Sequence, residues 1–177
     1  LGCIGFFMKC INYSYRMLLL LSLLFVCSMH TYASVIVIDS PSFRFNVAPY
    51  TQFTKDKYAR APIEDLLGNT PILQFQPMAS NAIHFGYMQE RLWLKFEVLN
   101  ALSTNADVAI EIDYALLNAI HLYETDNNKV INTYKLGILY DNVQDSNAKY
   151  TVKSRNNIFL LTIPANSHRT MYLSIDT

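Results

Sequence analysis

Glycine and proline are scarce, five and six in 177 residues, and no run of them divides the chain with a low-complexity linker. Charge of either sign is thin as well. The 14 basic side chains are matched by 14 acidic ones, which excludes the strongly basic surface that nucleic acid or anionic lipid calls for. All three cysteines, Cys3, Cys10 and Cys27, stand before residue 34. The rest of the chain therefore has no disulfide and no thiolate metal site, and its stability must come from packing. His84, His121 and His168 fall on separate segments without H-x-H or H-x-x-x-H spacing, so no metal site is expected. A Gly-rich phosphate loop and a G-x-S-x-G nucleophile are also missing, so neither a cofactor nor a catalytic residue is expected.

What is abundant is apolar residues, 51% of the chain, with a concentration in RMLLLLSLLFVCSMHTYAS. Arg16 supplies a positive start, Met17 to Cys27 an apolar stretch, and Thr31-Tyr32-Ala33 a small-x-small cleavage signal, the layout of a secretory signal peptide spanning residues 1–33. This stretch is too short to span a bilayer of ~30 Å, which takes about 20 helical residues. Val26 before Cys27 argues against a lipoprotein signal. Leu1 stands ahead of Met8 and Met17, and the residues before Met8 are read as an upstream extension. Cleavage near Ala33 would remove Lys9 and Arg16 but no acidic residue, leaving an exported, slightly acidic domain over residues 34–177.

That domain alternates with a period of two and shows almost no helical periodicity, which predicts an all-β fold. SVIVID, from Ser34, is a first apolar run ended by Ser40-Pro41. ARAPIEDLLGN is the one short helix expected, with Pro62 in its first turn and Gly68-Asn69 as its stop. PILQFQP, bracketed by two prolines, reads as an edge strand. RLWLKFEVLN, DVAIEIDY and NAIHLYE follow as strands. The Asx-rich TDNNK joins the last of these to VINTYKLG by a hairpin. IFLLTIP and TMYLSID close the chain on either side of a polar loop, ANSHR. Short strands with one apolar and one polar face predict a β-sandwich or jelly roll. Alternation still runs at Thr177, as in a domain that continues beyond it.

HFGYMQERLWLKFEVLN followed by IEIDYALLNAIHLYE resembles the extracellular sensor domain, type 2, of bacterial seven-transmembrane receptors with diverse intracellular signalling modules. The resemblance covers Val47 to Thr177. It runs through Gly86, Trp93, Asn100, Ile110 to Tyr114, Leu117, Leu122-Tyr123, Gly137, Arg155 with Phe159, and the final MYLSI. It implies a jelly roll similar to carbohydrate-binding modules, held at the periplasmic face of the bacterial inner membrane. It further implies a downstream seven-helix segment and a kinase or cyclase module beyond that; a homodimer in the full receptor is a separate expectation. Ala115 departs from the proline expected after Tyr114, and YTVKSRNN is a weak version of the family's basic stretch; both bear on loop shape.

Alternation places Trp93, Lys95 and Glu97 on the polar face of their strand, with Glu111 and Asp113, His121 and Tyr123, and Tyr172 on the polar faces of theirs. An aromatic floor with acids and a lysine around it suits a carbohydrate or another small polar ligand. Alternatively, Trp93 is core, covered by the preceding segment, for instance by Phe85 and Tyr87. Paired carboxylates such as Glu111 and Asp113 serve glycoside hydrolysis in other proteins, but on an exposed strand they are more simply a solvated face, and the chain is read as non-catalytic. A protein-interaction or dimerisation domain and a free secreted carbohydrate-binding module are the other readings.

Overall fold

The computed structural model describes residues 35–68, 70–86, 88–140 and 156–177. The segment 1–33 read above as a signal peptide, the three cysteines, Asn69, Tyr87 and Arg155 lie outside them. The described residues form nine strands: β1 (Ile36–Ile38), β2 (Gln52–Asp56), β3 (Gln76–Pro77), β4 (Arg91–Asn100), β5 (Ala106–Ile112), β6 (Ala119–Asp126), β7 (Lys129–Leu136), β8 (Asn157–Ile163) and β9 (Ser167–Asp176). The chain is all-β. The long sheet runs β3-β2-β4-β9-β6-β7, and β5 pairs with β8 in a second, two-stranded sheet. Pairing is antiparallel except where β1 lies parallel to the end of β4, Ile36 opposite Val98.

Period-two alternation makes the core. Leu92, Leu94, Phe96 and Val98 of β4 share one face of the long sheet with Met171, Leu173 and Ile175 of β9 and with Ile120 and Leu122 of β6. Phe159, Leu161 and Ile163 of β8 join them in a single buried cluster, so the small sheet covers the inner face of the long one. Asn100 ties the two together. It is fully buried, and its amide nitrogen lies 3.0 Å from the carbonyls of Thr104, Ile163 and Pro164.

A cluster of charges sits on this inner face. Glu124, 2% exposed, accepts from Asn132 Nδ2 at 2.7 Å, Tyr134 Oη at 3.3 Å and Arg169 Nε at 3.2 Å. Arg169 also donates to Asp126 at 3.1 Å. The carboxylate is buried but paired and hydrogen-bonded, the condition under which such a group is tolerated.

The expected hairpin is present, with Asn127 and Asn128 at φ 48° and 60°, the left-handed pair a tight two-residue turn needs. Two expectations are corrected. The helix over ARAPIEDLLGN is only a 3-10 turn at Ile63–Leu66. Leu67 returns to extended backbone and Gly68 takes φ 92°, so no second turn forms. The loop ANSHR is shorter than its polarity suggests: Ser167, His168 and Arg169 extend β9 to pair with Asn100, Leu99 and Val98, because β4 offers them a ladder.

Candidate functional site

The register brings six of the eight singled-out residues together on the outer face of the long sheet. Trp93, Lys95 and Glu97 stand opposite Ser174, Tyr172 and Thr170 of β9, while Tyr123 and His121 of β6 stand opposite Tyr172 and Ser174 from the other side. Trp93 and Tyr123 stack with centroids 5.8 Å apart, and the Lys95 ammonium lies 5.6 Å from the Tyr172 ring.

This face is not an open floor. Trp93 is 1% and Tyr172 4% exposed, packed in a second cluster under Ala61, Ile63 and Leu66, with Leu67, Leu73 and Phe75 at its margin. The covering segment is pinned at both ends. At its start the Asp56 carboxylate accepts from the Tyr58 and Ala61 amides at 3.2 and 2.7 Å. At its far end β3 pairs with β2, and the Met78 amide donates to the Thr51 carbonyl at 2.9 Å. Phe85 instead packs on Phe53 and the inner core. Among the described residues the Trp93 indole Nε1–H is buried without a hydrogen-bond partner.

Beside the cover the face is half open and polar. His121 Nε2 is 2.6 Å from Tyr140 Oη, and its Nδ1 is 3.4 Å from Ser174 Oγ. Burial, reinforced by the Lys135 charge, lowers the His121 pKa from its ordinary 6.5. Burial likewise raises the Tyr123 and Tyr172 phenols. Glu97 pairs with His168 at 3.1 Å, and Arg91 forks onto Asp176 at 2.8 and 3.1 Å.

Glu111 and Asp113 lie elsewhere, the first on β5 of the small sheet and the second just past its end. The Asn156 amide donates to both, at 2.7 Å to Glu111 Oε1 and 3.1 Å to Asp113 Oδ1. They line a cavity of about 400 Å³ that opens where β5 meets the chain between β1 and Ala48. Its floor is the buried Ile36, Ile38, Phe96, Val98, Ile163 and Met171. Its exposed margin holds Arg44, Phe45, Ala109, Glu111 and Asp113. An apolar floor with a few polar groups around the mouth, at this volume, is the usual make-up of a small-ligand site. Alternation pointed to Glu111 and Asp113. Arg44 and Phe45 were not foreseen, because SFRFN carries no turn or strand signal that separates it from an ordinary loop.

Among the described residues no group of three or more His, Cys, Asp or Glu side chains converges as metal ligands would, and no helix is long and apolar enough to cross a membrane. A comparison with curated proteins finds no match. The family model described as 7TMR-DISM extracellular 2 matches residues 48–177, a span from the Ala48 turn through β9 that contains every strand of both sheets except β1. The chain therefore belongs to the 7TMR-DISM extracellular 2 family, the extracellular sensor domains of seven-transmembrane receptors.

Proposed function

We propose that this sensor domain binds a small polar ligand, the class that includes carbohydrates, in the cavity between its two sheets, and that occupancy is passed to the membrane part of the receptor. The observation that carries the reading is the cavity itself. It joins a buried apolar floor to a charged mouth, and it lies where, among the described residues, β5 pairs with β8 alone. A ligand there would touch both layers at once, through Phe96 and Val98 of the long sheet and Val108 and Ile110 of the small one. Such a ligand has different contacts in closed and splayed arrangements of the sheets, and differential contact is what a ligand needs to shift a conformational equilibrium.

The aromatic outer face supports a second seat for a sugar. Lys95, Glu97, His121 and Tyr123 are half exposed there, but Trp93 and Tyr172 would become a platform only if the segment over them moved away. Thermal-shift screening of mono- and disaccharides, polyols and small charged metabolites distinguishes the two seats, because a ligand of the native state raises its melting temperature by mass action. Ala109→Trp places a large side chain at the exposed mouth of the cavity and is expected to abolish the shift while leaving the unliganded melting temperature nearly unchanged. A shift that survives Ala109→Trp would move the ligand off this cavity.

A further inference from the structure

Among the described residues three charged side chains of both signs border the cavity mouth. Glu111 of β5 and Asp113, just past its end, both accept from the Asn156 amide. Arg44 lines the same cavity from the chain between β1 and Ala48. The two acids leave carboxylate lone pairs beyond the single hydrogen each takes from Asn156. Among the described residues neither they nor Arg44 form a salt bridge: the four ion pairs there join Arg91 to Asp176, His168 to Glu97, and Arg169 to Glu124 and Asp126. Behind these charges the floor is made of aliphatic, methionine and phenylalanine side chains.

Each part excludes a class of ligand. A sugar ring pressed onto Ile36, Ile38, Val98 and Ile163 would bury hydroxyls against a surface that offers them no partner. A simple anion would meet Arg44 but be opposed by two carboxylates, and a simple amine the reverse. We propose that the cavity takes a small zwitterion with an apolar side chain, a free amino acid of the leucine or phenylalanine kind. Its ammonium lies against Glu111 and Asp113, its carboxylate against Arg44, and its side chain on the floor of Phe96, Val98 and Met171. The proposal rests on the ligand-sensing reading above and narrows it to one class. No covalent step is involved.

The test uses the full chain and L-leucine, with isopentylamine, isovalerate and glucose as probes that each keep only part of the chemistry. L-leucine is expected to raise the melting temperature and to bind measurably by calorimetry, and the three partial probes to bind about tenfold or more weakly. A factor of that size is what removing a single charge-assisted hydrogen bond costs. Arg44→Gln, and Glu111→Gln with Asp113→Asn, are at exposed positions and should fold normally. Each is expected to weaken L-leucine by about tenfold or more, and Arg44→Gln should leave isopentylamine no weaker. L-leucine binding unchanged by both variants, or no L-leucine binding at all, overturns the zwitterion. In that second case, glucose or another neutral probe that shifts the wild type but not Ala109→Trp would keep the cavity as the sensing site with a different ligand class. If no probe shifts the wild type, the sensing reading of the cavity falls as well.

Discussion

Trp93 shows how one side chain can be read correctly for face and differently for role. Alternation assigns it to the outer face, and β9 register agrees, but Ala61, Ile63 and Leu66 cover it. Its roughly 200 Å² of surface is therefore buried as core. Trp93→Ala is expected to cost about 3 to 5 kcal/mol in urea unfolding followed by circular dichroism. Trp93→Phe should cost less, since it also removes an indole N–H whose burial without a partner opposes folding. His121 carries a pH dependence of definite sign. Its folded-state pKa is lowered by burial and by Lys135, against the opposing attraction of Asp176. The folded state thus takes up its proton less readily than the unfolded chain. Its contribution to stability is complete above pH 6.5 and is lost as pH falls through the lowered folded-state value. Unfolding free energy measured on both sides of that pH should fall on the acid side, and His121→Gln should flatten the slope.

At the scale of elements, β6, β7 and β9 are joined by the Glu124 network as well as by their ladders. Removing Arg169 strands a carboxylate that is 2% exposed, and Arg169→Ala is expected to cost about 3 to 5 kcal/mol. The double change Glu124→Leu with Arg169→Leu should cost less than Arg169→Ala alone. Equilibrium unfolding of the two variants decides this, and a larger loss in the double variant would show that the pair's net attraction, not the isolated charge, holds the strands. The end of β7 depends on Gly137. It takes φ 110°, and a Cβ there would lie 2.8 Å from the Asn118 carbonyl oxygen and 2.9 Å from that of Leu117. Both obstacles are backbone. Gly137→Ala should therefore lose about 1 to 3 kcal/mol, the usual cost of a non-glycine residue held in such a conformation, measurable as a lower melting temperature. The 3-10 turn at Ile63–Leu66 makes the converse point. Pro62 and the early acids are genuine helix-start signals, but four residues under a tight tertiary constraint make one turn and then serve as a lid of apolar side chains over Trp93.

At the scale of the whole molecule, the chain is an all-β, two-sheet member of a family of extracellular sensor domains. Stability rests on packing. No cysteine occurs after residue 34, so the melting temperature of this domain should be the same with and without a thiol reductant. A lowered value under reduction would mean that the cysteines before residue 34 contribute to it.

Strands, their faces and the family were legible in the amino-acid order alone, because side-chain alternation is a local property of an extended backbone and needs no knowledge of neighbours. Trp93, Lys95, Glu97, His121, Tyr123 and Tyr172 could thus be assigned to outward faces before any pairing was known. That Glu111 belongs to a different sheet, that Arg44 lines the same cavity as Glu111 and Asp113, and that Trp93 lies under a lid emerged only from the packed chain. Those outcomes depend on which strands lie side by side and what crosses above them. Contacts between residues far apart in the chain set both, and a period of two is identical on either side of a sheet.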